Sequence, residues 1–282
     1  MGEAPLPLEG KVAVVTGGAR GQGRSHAVAL ARLGADLVVG DICADIGSVP
    51  YPLADPDDLA ETAALVEAAG RRCVAEIVDV RHLDAVIGLV DRAATRFGSV
   101  DIMVANAGIS AVGSVCELDA GSWADVIDVN LTGVFNAIRA AAPVMRAQRS
   151  GRIVGISSMM GRSAQPGIPA YTASKWGVIG LCKSAALELA GVGVTVNVVA
   201  PGNVSTPMIH NDAFYRTVRP DLPSPTADDL APVLARLHAQ PVPWLEASEV
   251  TAAVVYLVSE GARHVTGTVL NVDAGASARF SA

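Results

Sequence analysis

The sequence predicts an α/β fold: a doubly wound, seven-stranded parallel sheet flanked by helices, built as a single domain. Three observations predict it. Short apolar runs alternate with longer Ala-rich amphipathic stretches along the chain. The apolar runs are rich in Val and Ile and nearly free of polar interruption, as strands covered on both faces must be. No internal repeat or linker divides the chain, so one domain absorbs residues 1–282.

The elements follow in order. Residues 12–16 read as the first strand, followed by a glycine-rich turn and a helix over 21–33. A second strand, 36–41, leads into a long Pro-bearing loop, 42–56, of a length that usually signals function or mobility. A helix over 57–69, a strand over 73–79, a helix over 83–97 and a strand over 101–105 come next. The pattern continues with a helix at 122–147, a strand at 152–157, a helix at 171–190 and a strand at 194–200. Residues 203–245 then break the rhythm with several prolines and a short helix near 228–238. This segment directly follows a strand, on the side where open α/β sheets bind ligands, so it reads as a substrate lid rather than a plain surface excursion. A helix over 248–259 and a strand over 268–272 close the fold.

Composition removes several function classes. The chain is 51% hydrophobic and 17% charged, too apolar for disorder. A net charge of −7 with no Lys/Arg run argues against nucleic acid as a partner. No stretch reaches the roughly 20 apolar residues of a membrane span. The first ten residues lack the basic and apolar regions of a signal peptide, and a cytoplasmic location is expected. Cys43, Cys73, Cys116 and Cys182 form no CxxC pair; they read as small buried hydrophobes, and no metal site is expected.

Function is concentrated at three places. The turn Thr16-Gly17-Gly18-Ala19-Arg20-Gly21-Gln22-Gly23 joins a strand to a helix, where side chains at Gly17, Gly21 and Gly23 would block the turn, a pyrophosphate or helix packing. The helix N-terminus supplies free N–H groups for phosphates. Asp41 ends the second strand, where a carboxylate can bond both ribose hydroxyls and repel a 2′-phosphate. That favours NAD over NADP, although Arg20 is a competing signal. Tyr171 and Lys175 lie one helical turn apart, so the ammonium can favour the phenolate. The pair Ser157 and Ser158 ends a strand at the same sheet edge.

Together with Asn106-Ala107-Gly108, Asn130 and Pro201-Gly202, these motifs resemble the short-chain dehydrogenase/reductase family, from about Gly10 to Gly275. The resemblance implies a Rossmann sheet of seven parallel strands and a nicotinamide cofactor. It also implies a catalytic tetrad of Asn130, Ser158, Tyr171 and Lys175. In that scheme Tyr171 is the acid/base, Ser158 holds the substrate oxygen, and Lys175 lowers the tyrosine pKa and contacts the nicotinamide ribose. Asn130 holds a relay water. Ser158 is preferred to Ser157 because it lies thirteen residues before the tyrosine. Further cofactor contacts carried over are Ala19, Arg20 and Gln22 in the turn, Ile42 beside Asp41, Asp79 and Val80 at the adenine, and Asn106, Ala107 and Gly108. Pro201, Gly202, Val204 and Thr206 complete the set at the carboxamide and pyrophosphate.

The insertion after the second strand, with Tyr51 and Pro52, and the run Pro201 to Met208 resemble the mycofactocin-associated, carveol-dehydrogenase-like branch. That likeness implies tightly held NAD(H), covered by the loop and regenerated by mycofactocin as an external carrier. A lipophilic secondary alcohol or ketone, terpenoid or steroid-like, is the expected substrate. Met159, Met160, Gln165, Met208, Phe214 and Trp244 are expected to shape its pocket with Ser158. Helices 122–147 and 171–190 are apolar on more than one face, and the family pairs such helices in homotetramers. The competing readings are a reductase of the 3-oxoacyl-carrier type, with NADPH and a basic docking patch, and a non-catalytic NAD-binding regulator.

Overall fold

A computed structural model describes residues 5–279; residues 1–4, where the segment read as lacking a leader begins, and 280–282 lie outside it. Seven strands form one parallel sheet: β1 (Val12–Thr16), β2 (Asp36–Asp41), β3 (Cys73–Ile77), β4 (Ile102–Ala105), β5 (Gly151–Ile156), β6 (Val194–Pro201) and β7 (Val269–Val272). Their spatial order is β3-β2-β1-β4-β5-β6-β7. The order reverses between β1 and β4, which pair directly, and a crevice opens there beyond the carboxyl ends.

Helices cover both faces. α1 (Gly21–Arg32), α2 (Pro56–Ala68) and α9 (Ala247–Val258) lie on one side; α3 (Leu83–Phe97), α4 (Ala120–Ile127), α5 (Gly133–Gln148) and α6 (Pro169–Leu189) lie on the other. Two buried cores result, one on each side of the sheet. β1, β2, β4 and β6 are buried at every position, so alternation never appears in their sequences.

Four local readings change. β3 is an edge strand with Ile77 65% exposed, so it is covered incompletely. The helix expected over 122–147 is broken by a π-helical turn, Asp128–Thr132, which no periodicity announces. A short helix, α7 (Asp212–Val218), precedes the expected one, α8 (Ala227–Ala235). Its N-cap is Asn211, whose side chain accepts from Phe214 N at 2.9 Å. Of the cysteines only Cys182 is buried, while Cys116 is exposed and Cys43 and Cys73 are half-buried. All four are free thiols.

The loop after β2 ends where Asp55 caps α2 in a reciprocal box with Asp58, with Pro56 opening the helix. The loop is fastened elsewhere too. Ser48 Oγ donates to Asp125 at 2.7 Å, the Arg20 guanidinium donates to the Pro52 carbonyl, and Leu53 N donates to Asp45 at 2.8 Å. Among the described residues, no helix is long and apolar enough to cross a membrane.

Candidate active site

The crevice over β1 and β4 begins at the glycine turn. Gly17 has φ +62°, and a Cβ on it would stand 2.6 Å from Ala107 Cα. A Cβ on Gly23 would stand 2.0 Å from Gly17 O and 2.7 Å from Asn106 Nδ2. Asn106 explains that crowding: its Nδ2 donates to Thr16 O at 3.0 Å and Gly17 O at 2.9 Å, stitching β4 to the turn. The first N–H groups of α1 have no helical carbonyl to meet and open onto the cleft.

Asp41 closes the turn from the other side. Its Oδ2 accepts from Ala19 N at 3.0 Å and its Oδ1 from Cys43 N at 3.3 Å, and it remains in the cleft wall. Arg20, tied to Pro52, points at the inserted loop. Asp79 forks with Arg81 at 2.7–3.0 Å, and Arg81 also reaches Asp125 at 3.0 Å. Burial opposes ionisation of Asp79, but Arg81 outweighs it and holds that carboxyl below its usual range. Gln22 Oε1 is buried with no hydrogen-bond partner in the protein, an acceptor aimed at whatever fills the cleft. Together the cramped glycines, the open amides, the strand-end carboxylate and this orphan acceptor fit a dinucleotide.

The expected nucleotide residues divide between two adjoining clefts. Gly17, Arg20, Gly21, Gln22, Gly23, Asp41, Ile42, Asp79, Val80, Asn106, Ala107 and Gly108 wall the first with Tyr171, Lys175 and Thr206. Ala19 is fully buried behind it and acts through its N–H to Asp41. Pro201, Gly202 and Val204 face the second, which Gln22, Tyr171 and Thr206 also reach.

Of the expected tetrad, Ser158, Tyr171 and Lys175 line the clefts where they meet, and Asn130 lies fully buried beside Gly108, outside both linings. Asn130 sits in the π-helical turn; its Oδ1 accepts from Ile109 N at 2.8 Å, and its Nδ2 donates to Ile109 O at 2.9 Å and Ser174 Oγ at 3.1 Å. The extra residue of the π turn aims this amide inward. A Cβ placed on Gly108 would lie 3.3 Å from Lys175 Nζ and 3.4 Å from Asn130 Oδ1, so the two polar groups flank one small space. Lys175 is 3% exposed, its Nζ donates to Ile156 O at 3.0 Å, and burial lowers its pKa to about 8. Ser157 Oγ is spent on Lys175 O at 2.8 Å. Ser158 Oγ accepts from Met160 N at 3.1 Å and hydrogen-bonds with Tyr171.

One expectation about the phenol changes. Lys175 Nζ lies 5.5 Å from the centre of the Tyr171 ring and spends a proton on Ile156. In the protein by itself burial dominates, and the Tyr171 pKa is raised; the Ser158 hydrogen bond opposes this. The ring is only half-buried and walls both clefts, so the hydroxyl is not lost in packing.

The second cleft is lined by Ser158, Met159, Met160, Gln165, Met208 and Phe214. Trp244 is not in that wall; it packs edge-on against His210 with ring centres 5.0 Å apart. Ile46, Tyr51, Leu53 and Ala54 of the inserted loop also face the first cleft, and Tyr51 faces both. Their only sequence signal is an aromatic and several apolar residues in an over-long loop.

The sequence matches the family model for short chain dehydrogenases over residues 11–213. The chain is a short-chain dehydrogenase. Among curated relatives of this oxidoreductase, a (-)-trans-carveol dehydrogenase from Rhodococcus erythropolis is 44% identical over 270 residues, covering 95% of this chain and 98% of that one. A cis-4-hydroxycyclohexanecarboxylate dehydrogenase from Sinomonas cyclohexanicum is 39% identical over 280 residues, covering 99% of this dehydrogenase and 100% of its relative. Among solved structures, a carveol dehydrogenase from Mycobacterium avium in complex with NAD superposes with a TM-score of 0.94 at 45% identity, covering 96% and 99% of the two chains. Within the short-chain dehydrogenases, this one therefore falls on the carveol-dehydrogenase-like branch.

Proposed function

We propose that this short-chain dehydrogenase interconverts a lipophilic secondary alcohol and its ketone, with NAD as cofactor. The observation that carries the reading is the meeting of Ser158, Tyr171 and Lys175 at the junction of a dinucleotide cleft and a largely apolar one. Asp41 at the end of β2 supports NAD, because a fixed carboxylate there repels a 2′-phosphate. The relative that oxidises carveol and the neighbour complexed with NAD point the same way.

NAD, when bound, supplies hydride acceptance and donation and a positive ring beside Tyr171. Gln22, Asp41, Asn106, Val204 and Thr206 would hold it. The protein does the rest. Ser158 orients the alcohol oxygen, already sharing a hydrogen bond with the phenol. Tyr171 takes the alcohol proton in oxidation and returns it in reduction. Its raised pKa makes the cationic neighbourhood of Lys175 and cofactor necessary for that exchange. Lys175, with a pKa near 8, stays mostly charged at neutral pH, and with Asn130 it frames the space for a relay water toward solvent. Met159, Met160, Met208 and Phe214 exclude water and accept an apolar ring.

The inserted loop supports a finer reading. It lies over the dinucleotide cleft and is anchored by Ser48, Pro52 and Asp55, as a cover that slows nucleotide exchange would be. Mycofactocin is then the carrier that reoxidises the held nucleotide. Trp123, Phe135, Trp176 and Leu187 project from α4, α5 and α6 at 42–86% exposure, which supports a homotetramer formed through those helices. A 3-oxoacyl-carrier reductase finds less support, because no Lys or Arg lines the second cleft. The test is to denature the purified protein, assay the supernatant for NAD(H), and follow carveol oxidation by the native protein. About one nucleotide per protomer and alcohol-dependent reduction are expected. No turnover of any lipophilic secondary alcohol would overturn the reaction; no retained nucleotide would overturn only the finer reading.

A further inference from the structure

The residues of the inserted loop do not all face the same way. Ile46, Leu53 and Ala54 face only the dinucleotide cleft. Tyr51 walls both clefts, and the residue is 7% exposed. Its oxygen accepts from Ser110 N at 3.1 Å, and Ser110 faces the substrate cleft alone. The ring therefore spans the wall between the clefts, with its hydroxyl on the substrate side. A phenol that accepts an amide N–H still has its own proton to give. Among the described residues, no protein group takes that proton. The hydroxyl therefore has a proton to give to an acceptor that enters the cleft.

We propose that Tyr51 is a substrate-binding residue whose hydroxyl donates to the oxygen of the alcohol or ketone, beside Ser158. The loop that covers the nucleotide thereby also grips the substrate. This rests on the reaction proposed above and adds a specificity determinant to it. Two further observations support it. Tyr51 lies close enough to Tyr171 for their charges to interact. Burial raises the Tyr51 pKa above its ordinary value, so it stays protonated and able to donate at neutral pH. One phenol cycles and the other only donates. The neighbouring Met159, Met160, Met208 and Phe214 cannot orient an oxygen, so the cleft's polar side chains, to which the inserted loop contributes Tyr51, decide how an apolar ring sits there.

The test is Tyr51→Phe, which keeps the ring and removes the donor. Carvone, the ketone of carveol, is titrated onto wild type and variant loaded with oxidised nucleotide, a combination that cannot react. Limonene, with the same skeleton and no oxygen, is titrated in parallel. The variant should bind carvone about 2- to 13-fold more weakly, as for one neutral hydrogen bond. Its limonene affinity and its nucleotide content should match the wild type. General loosening of the cleft would weaken both ligands alike, so the carvone-to-limonene ratio isolates the hydroxyl. An unchanged ratio overturns the assignment, as does a variant that sheds nucleotide while the ratio holds. A wild type that turns over no lipophilic secondary alcohol overturns the substrate reading and this assignment with it, and is distinguishable because it appears before any mutation; where another such alcohol is turned over, its ketone and the deoxygenated analogue take the place of carvone and limonene.

Discussion

Replacing Gly23 by Ala probes the dinucleotide turn where it is tightest. The new Cβ would stand 2.0 Å from Gly17 O and 2.8 Å from Gly17 C, both backbone atoms that no rotamer change can move. It would also stand 2.7 Å from Asn106 Nδ2, the donor of two stitches at 3.0 and 2.9 Å. Overpacking costs about 1–3 kcal/mol. Each lost neutral hydrogen bond costs about 0.5–1.5 kcal/mol more. The sum is roughly 4 kcal/mol, concentrated in the amides that meet the pyrophosphate, so nucleotide affinity should fall by about 100- to 1000-fold. Gly88→Ala is the control: in α3, away from both clefts, its new Cβ would meet nothing within 4 Å, and its backbone φ is ordinary, so nucleotide affinity should be unchanged. Nucleotide per protomer after dialysis, and NADH fluorescence titration of stripped protein, give the comparison. A Gly23→Ala protein that binds as tightly as wild type, or a Gly88→Ala protein that loses as much affinity as Gly23→Ala, refutes the reasoning.

The remaining predictions concern charges. Asp41→Ala frees Ala19 N and Cys43 N and removes the charge opposing a 2′-phosphate; NADH affinity should drop by about 10- to 100-fold and the preference over NADPH should narrow, read by competitive titration. His26, buried against Thr251 at 2.8 Å, has its pKa lowered by burial from 6.5 to about 3. The unfolded chain binds this proton first, so stability is full above pH 6.5 and is lost as pH falls toward 3, by up to roughly 1.4 kcal/mol per pH unit. His26→Gln should flatten melting temperature against pH between 6.5 and 4. Burial of Lys175 lowers its pKa from 10.5 to about 8, so the fold sheds that proton before the unfolded chain does and gains stability as pH rises through this window. Lys175→Met should abolish turnover, and its melting temperature relative to wild type should be highest below pH 8 and decline toward pH 10.5.

Much of the fold is legible because a parallel sheet covered on both faces leaves unbroken Val/Ile runs, as in β1 and β6. β3 reads as the same kind of strand, yet it is an edge, because strand order depends on the crossovers and not on strand composition. The glycine turn, Asp41 and the Tyr171–Lys175 pair are legible as local spacings. The π-helical turn at Asn130 is not, because a π turn adds one residue without changing composition. Trp244 reads as a substrate contact from its neighbourhood in sequence, but the chain turns its ring onto His210. Tyr51 shows the opposite failure: nothing local to it says that a residue after β2 reaches Ser110 after β4, since only the sheet order brings those two loops together. The raised Tyr171 pKa is invisible for a related reason, because burial depends on the whole site and the Lys175 proton is spent on Ile156.

The central claim is that one phenol exchanges the substrate proton while bound nucleotide exchanges the hydride. Tyr171→Phe, purified with its nucleotide, should show no rise in absorbance at the reduced-nicotinamide band when carveol is mixed in stopped flow, although nucleotide content matches wild type. Reduction at the wild-type rate and amplitude in that variant would contradict it.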